Sequence, residues 1–281
     1  MSISPNTLPK LWVVATPLGN PGDLSPRARQ VLESADIVLA EDTRRAGLLC
    51  QRCEIVVQRF ISFHDHNEDA KTEAMLALIA EGKTLALISD AGLPLVADPG
   101  YRLVRACRAA SIPVSVVPGP CAPVTALAGS GIAPQPFVFL GFLPRGRADQ
   151  EKLLASFAHL QLTLIFFERK DRLAQTLSVA HAVLGARELC IARELTKTHE
   201  EYISGRLEEG VPTEALLGEI TVVIGPPESD GLTDRDTLLQ LIAEERTLGG
   251  SPRDVARRVQ TRTTGWTVKA IYAMMSARSD V

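Results

Sequence analysis

Short apolar runs rich in β-branched residues punctuate the first half of the chain, at Leu11 to Ala15, Ile37 to Ala40, Thr84 to Ile88 and Pro113 to Val117. Between them apolar positions recur at helical spacing, so the pattern predicts strands alternating with helices. Ser25-Pro26 and Asp98-Pro99 each set an N-cap residue before a proline suited to a first helical turn, and predict helices starting near residues 26 and 99. Alternation of this kind builds an α/β layer with parallel strands.

A Pro/Gly-rich stretch from Pro118 to Pro136 marks the passage into a second unit and encloses a predicted helix from about Ala122 to Ser130. Further apolar runs follow at Phe137 to Phe142, Leu162 to Phe167, Leu189 to Ala192 and Ile220 to Ile224, with a helical segment at Arg172 to Leu184. Pro226-Pro227 closes this unit. Asp234 to Glu245, Ser251 to Arg262 and Thr267 to Ala277 then read as three helices with no strand between them. The expected division is an α/β domain over 1–119, a second α/β domain over 120–228 and a helical extension over 229–281.

A chain of 281 residues with 46% hydrophobic content can bury two cores. Its formal charge of −3 excludes a surface that is basic all over, so any nucleic-acid contact must be local. The extension supplies one candidate: Arg253, Arg257, Arg258, Arg262, Lys269 and Arg278 face only Asp254 and Asp280 after residue 250. Its last two helices, joined through Thr263, Thr264 and Gly265, have a helix-turn-helix layout; an ordinary solvated helix face is the other reading. Met1 to Lys10 has no signal-peptide character, and no apolar run approaches the roughly 20 residues of a membrane helix, so a cytoplasmic protein without a membrane partner is expected. The five scattered cysteines fit a reducing compartment, and Cys50-x-x-Cys53 lacks the second pair a zinc site needs.

Four segments join glycine and proline to polar residues at the end of an apolar run: Ala15 to Asp23, Ser89 to Pro94, Pro118 to Ala122, and the stretch after Phe167. Ligands of open α/β sheets bind outside the carboxyl ends of strands, so a pocket is expected here, recognising its ligand largely through the main chain. None of the four is a dinucleotide fingerprint or a phosphate-cradling P-loop, which points to a different nucleoside cofactor.

Val13 to Ser25, Ala40-Glu-Asp-Thr-Arg44, Ser62-Phe-His-Asp-His-Asn-Glu68, Ser89 to Tyr101, Phe139-Leu-Gly-Phe-Leu-Pro144 and Arg193 to Glu201 resemble, in order, the motifs of the ribosomal RNA small subunit methyltransferase I family, a branch of the tetrapyrrole methylases. The resemblance implies a two-domain tetrapyrrole-methylase-like α/β fold with a helical C-terminal extension. It also implies S-adenosyl-L-methionine in the cleft between the domains, a homodimer, and a cytidine 2′-hydroxyl of 16S rRNA in the 30S subunit as substrate. Carried over by motif, Pro17 lines the cofactor pocket, Ser89, Asp90, Ala91, Leu93, Cys121 and Ala122 contact the cofactor by main chain, and Phe167 supplies an apolar contact to adenine. Three departures stand out: Leu93 replaces a threonine, Cys121 replaces a serine, and Phe167 to Arg172 lacks the proline of the family's turn.

Methyl transfer to a hydroxyl is an in-line displacement, in which positioning can supply about 7–11 kcal/mol and a general base about 3–5 kcal/mol. Candidate bases beside strand ends are Glu41, Asp42, His64, Asp65, His66 and Glu200. For His64-Asp-His66 the other reading is a loop-stabilising hydrogen-bond network, and a bridging metal is not expected, because the reaction needs none. Arg44, Arg45, Arg193 and Lys197, with Arg257, Arg258 and Lys269 of the extension, are the candidate RNA contacts; surface ion pairs are the alternative for Arg44 and Arg45, and a solvated charged loop for Arg193 and Lys197. Two rival functions share the scaffold: methylation of a corrin or porphyrin precursor, and non-catalytic RNA binding in subunit assembly.

Overall fold

The first sheet leaves little of its strands to solvent: β1 (Leu11–Val14), β2 (Ile37–Ala40) and β4 (Leu85–Ile88) are buried almost throughout, which requires helices on both faces. With β3 (Phe60–Ser62) and β5 (Val114–Val117) they form a five-stranded sheet in the order β3-β2-β4-β1-β5, every pairing parallel. The computed structural model describes residues 8–210, 218–228 and 233–276, without the side chains of His66 and Glu219.

Alternation along the strands sorts the two faces. Val38, Ala40, Ala86 and Ile88 pack on α1 (Pro26–Ser34) and α2 (Thr43–Arg52), while Ile37, Leu39, Leu85 and Leu87 pack on α3 (Asp65–Ala80) and α4 (Tyr101–Ala109). Helix α1 starts where expected, with Pro26 in its first turn and the Ser25 hydroxyl accepting from the Ala28 N–H at 3.1 Å. Helix α4 starts two residues later than Asp98-Pro99 suggested. The cap comes from another element: Glu68 of α3 is 5% exposed and its Oε1 accepts from the N–H groups of Arg102 (2.8 Å) and Leu103 (3.3 Å). A carboxylate there satisfies two N–H groups left without partners in the first turn and complements the helix dipole.

The second sheet is mixed. Strands β6 (Phe137–Phe142), β7 (Thr163–Arg169), β8 (Glu188–Arg193), β9 (Glu201–Arg206) and β10 (Glu219–Ile224) lie in the order β6-β7-β10-β8-β9, and only β6 and β7 run parallel. One face carries α6 (Arg147–Ala155) and α7 (Lys170–Leu184) over Leu164, Phe166, Leu189, Ile191 and Val222. The other face, with Ile165, Cys190, Ala192 and Val223, takes α5 (Ala122–Gly129) and Leu18 from the loop after β1. This second face therefore looks toward the first sheet. Helix α7 begins at Lys170, directly where β7 ends, so no separate turn stands where the family proline is missing. The Arg169 N–H donates to Glu168 at 2.9 Å and its side chain to Asp171 at 3.1 Å, which supports the abrupt junction.

The extension has its own core, in which Leu238 and Ile242 of α8 (Arg235–Thr247) meet Val255 and Val259 of α9 (Pro252–Thr261) and Ile271 and Met275 of α10 (Val268–Ser276). Ala277, Arg278 and Asp280 lie outside the described residues. The expected lone basic face is partly neutralised by α8. Arg258 donates to the Glu245 carboxylate at 2.7 Å and to the carbonyls of Glu245 (2.8 Å) and Gly249 (2.9 Å), and Arg262 pairs with Glu244 and Glu245. Arg258 thus joins α9 to α8. Arg257 and Lys269 remain exposed.

Removing the carboxylate that caps α4 tests this account of the first domain. Glu68→Ala is expected to cost about 1–3 kcal/mol in urea unfolding, because two N–H groups lose a buried acceptor; a loss below 0.5 kcal/mol would show the cap to be dispensable.

Candidate active site

Backbone pairing draws the loops together. The Thr16 N–H donates to the Gly92 carbonyl at 2.8 Å and the Gly92 N–H returns a bond to Thr16 at 3.1 Å, tying the loop after β1 to the loop after β4. The buried Thr16 hydroxyl adds contacts to the carbonyls of Ser89 and Gly92, both at 3.3 Å. From the second domain, the Thr196 hydroxyl accepts from the Asn20 N–H at 3.1 Å, and Lys197 packs so tightly on Gly19 that a Cβ there would lie 2.3 Å from its Cγ. Only glycine allows that approach.

Between these loops lies a cavity of about 300 Å³. The first domain contributes Leu18, Glu41, Arg45, Asp90, Ala91 and Leu93; Cys121 and Ala122 enter from the start of α5, and Phe167, Glu194, Lys197 and Thr221 close the far side. Phe167 is held from behind by aromatic contacts to Phe139 and Phe142, with ring centroids 5.0 and 5.4 Å away.

The lining is acidic. Glu41, Asp90, Asp98, Glu168 and Glu194 face two cations, Arg45 and Lys197. Arg45 pairs with Asp90 at 2.8 Å, and Lys197 with Glu194 at 3.0 Å. Glu168, 1% exposed, accepts from the Thr176 hydroxyl at 2.6 Å and lies 3.4 Å from Arg172. Glu41 stands at the open mouth of the cleft, yet its carboxyl is pushed above the ordinary carboxylate range. Loss of water at the wall is the main cause, the negative charges of Asp90 and Asp65 add to it, and Arg45 and His64 oppose it.

The structure places Glu41, Asp90, Ala91, Leu93, Cys121, Ala122 and Phe167 on this wall, together with Arg45 and Lys197, which the sequence offered as RNA contacts. Ser89 lies behind the wall, its hydroxyl on the carbonyls of Ala91 and Gly92 at 3.3 Å, and Pro17 yields its place to the neighbouring Leu18. His64 and Asp65 open α3: the His64 N–H donates to Asn67 Oδ1 and Asn67 Nδ2 meets His64 Nε2, both at 2.9 Å. That is the hydrogen-bond network of the alternative reading, and neither residue reaches the cavity wall. The side chain of His66 lies outside the described part.

Asp42 caps α2, accepting from the Arg44 N–H at 2.9 Å and from its guanidinium at 2.7 Å, and these bonds hold its carboxyl far below the usual range. So acidic a group is a poor proton acceptor. Glu200 accepts from the Thr196 N–H at 2.6 Å and shapes the turn, while Arg193 is paired with Glu201 at 2.6 Å. The lining residues Leu18, Phe142 and Thr221 were not singled out individually by sequence reasoning, whereas Glu194 was offered as substrate-facing. A positive φ at Glu194 (49°) and Thr196 (64°) explains how that loop turns into the cleft, a conformation non-glycine residues seldom adopt. Thr221 reaches the wall through the register of β10 against β7, which no local motif encodes.

A parallel sheet and a mixed sheet enclosing such a cleft define a recognisable class, and residues 10–210 match the family model of Tetrapyrrole (Corrin/Porphyrin) Methylases. Among solved structures the fold resembles the methyltransferase CobJ, with a TM-score of 0.62 at 18% identity over 81% of this chain and 97% of that one. It also resembles uroporphyrin-III C-methyl transferase from Thermus thermophilus complexed with S-adenyl homocysteine, with a TM-score of 0.55 at 19% identity over 77% and 97%. Nearer in sequence are proteins named ribosomal RNA small subunit methyltransferase I. That of Micromonospora olivasterospora is 42% identical over 93% of this chain and 86% of its own length, and that of Escherichia coli O157:H7 is 47% identical over 75% and 72%. The chain belongs to the tetrapyrrole methylase family and, within it, to the ribosomal RNA small subunit methyltransferase I group.

The raised Glu41 carboxyl carries a stability consequence. A carboxyl whose folded pKa lies above its unfolded value favours folding below the unfolded pKa and loses that contribution as pH rises through the folded pKa. Glu41→Gln is therefore expected to raise the melting temperature near neutral pH, with the gain fading below about pH 4; a lowered melting temperature at pH 7 would contradict this.

Proposed function

We propose that the protein transfers a methyl group from S-adenosyl-L-methionine to the ribose 2′-hydroxyl of a cytidine in 16S rRNA, acting on the 30S subunit as a cytoplasmic homodimer. The observation that carries this reading is the convergence of the family's motif loops on one cleft between the two sheets. The relatives' names supply the substrate class. The macrocycle methylases share the fold at 15–23% identity, which gives no support for their substrate here.

The cleft suits the cofactor chemically. Leu18, Ala122 and Phe167 offer apolar surface for an adenosyl group, and the surplus of carboxylates favours a ligand bearing sulfonium and ammonium charge. When bound, that ligand supplies a methyl carbon already activated by the adjacent sulfonium, so the departing sulfur needs no proton. The remaining task for the chain is to orient the hydroxyl and take its proton. Of the five described candidate bases, Glu41 alone lines the cleft, and its raised carboxyl is better matched to proton acceptance than Asp42. Asp90, steered by Arg45, and Lys197, steered by Glu194, are positioning groups in this scheme. Arg44, Arg193, Arg257, Arg258 and Lys269 are outlying RNA contacts in this scheme.

Calorimetry and methyl transfer to 30S subunits test the reading. Asp90→Arg is expected to abolish cofactor binding, because a cation replaces a carboxylate on the wall. Glu41→Gln is expected to retain cofactor affinity while losing about a hundred- to ten-thousandfold in kcat. A parent protein that leaves every 2′-hydroxyl of 16S rRNA unmodified, or labels a base instead, would overturn the proposal.

A further inference from the structure

A second cavity, of about 560 Å³, opens beside the cleft, and Phe142 belongs to both walls. The rest of its lining includes Pro144, Arg145, Arg169 and Arg172, with Asp171 as the one carboxylate among the described residues. Phe142 is 53% exposed, with one side of its ring against Phe167 and the rest open to solvent. Its direction is built in. The register between β6 and β7 shifts between Phe139 and Phe142, and Gly141 sits at φ 66°, where a side chain would be strained. Bulges of this kind re-aim side chains beside active sites.

The surroundings are equally ordered. Arg172 donates to the carbonyls of Leu143 (3.2 Å) and Pro144 (2.8 Å), pinning the turn that follows Phe142. Arg145, exposed on that turn, makes no hydrogen bond or ion pair with any described residue. Among the described residues the Arg169 side chain is held by Asp171 alone, in a pair exposed on both sides, which is worth little in water. An exposed ring with adjacent guanidinium groups is the combination by which proteins hold single-stranded nucleic acid, the ring stacking a base and the cations taking phosphate.

We propose that this cavity is a single-stranded RNA subsite, in which Phe142 stacks the base of the nucleotide next to the one entering the cleft and Arg145, assisted by Arg169, binds the linking phosphate. The inference rests on the RNA methyltransferase reading above. Charge favours RNA over a second copy of the chain, because a twofold contact here would set the same arginines against each other. It also reconciles an acidic cleft with a polyanionic substrate: the cations that meet RNA stand on the rim, and the carboxylates stand inside.

Fluorescence anisotropy with a labelled, cytidine-containing single-stranded RNA of about 12 nucleotides tests it, alongside the KM for 30S subunits and calorimetry with S-adenosyl-L-methionine. Phe142→Ala is expected to weaken RNA binding about tenfold or more. Arg145→Ala is expected to reduce the log–log salt slope by about 0.7, one phosphate's share for a single strand. Arg145→Ala should keep cofactor affinity, Phe142→Leu should show the same RNA defect without a cavity, and Arg147→Ala, on α6 and paired with Glu151, should behave as the parent. If the parent methylates 30S subunits while the variants keep its RNA affinity, salt slope and KM within about twofold, the subsite is wrong and the functional reading stands. If the parent neither binds the cofactor nor labels 30S subunits, the functional reading itself fails. A change in sedimentation mass with unaltered RNA affinity would assign this face to contact between copies and overturn the subsite.

Discussion

The site exists because backbone pairing within the first domain and a close contact from the second hold their loops around one cleft. The reciprocal N–H to carbonyl bonds between Thr16 and Gly92 fix one rim of the cleft, and the seat of Lys197 on Gly19 fixes the other. A buried peptide pair of this sort is costly to break, since each group would lose its partner without regaining water. The floor of the cleft and the position of Asp90 and Glu194 follow from that clasp.

Charge is then distributed by depth. The innermost groups are carboxylates held by hydroxyls, backbone N–H groups or single cations, as Glu168 is by Thr176 and Asp90 by Arg45. Cations without strong internal partners are exposed, at Arg145 on the turn after β6 and at Arg257 and Lys269 of the extension.

The extension shows how tertiary packing alters a reading based on composition. After residue 250 the sequence is strongly basic, yet α8 brings Glu244 and Glu245 against Arg258 and Arg262, so part of that charge serves to hold three short helices together. Single amphipathic helices of this length are marginal alone, and their shared core with these ion pairs supplies what each lacks.

Much was legible in the linear chain. The α/β alternation, the Ser25 cap, α5 and the three terminal helices followed from periodicity and capping residues, and the glycine- and proline-bearing loops at the strand ends announced the cleft. These are local signals, carried by residues a few positions apart. What the chain alone left undecided involves partners far away in sequence: the Glu68 cap that delays α4, the edge strand β9 concealed in a polar motif, the Arg45–Asp90 pair, and the place of Glu41 on the cleft wall with His64, Asp65, Asp42 and Glu200 off it. A side chain's proton affinity and direction depend on what surrounds it in space. The motifs named the candidates, and only the folded packing of two sheets assigned each to the wall, to a helix cap or to the rim.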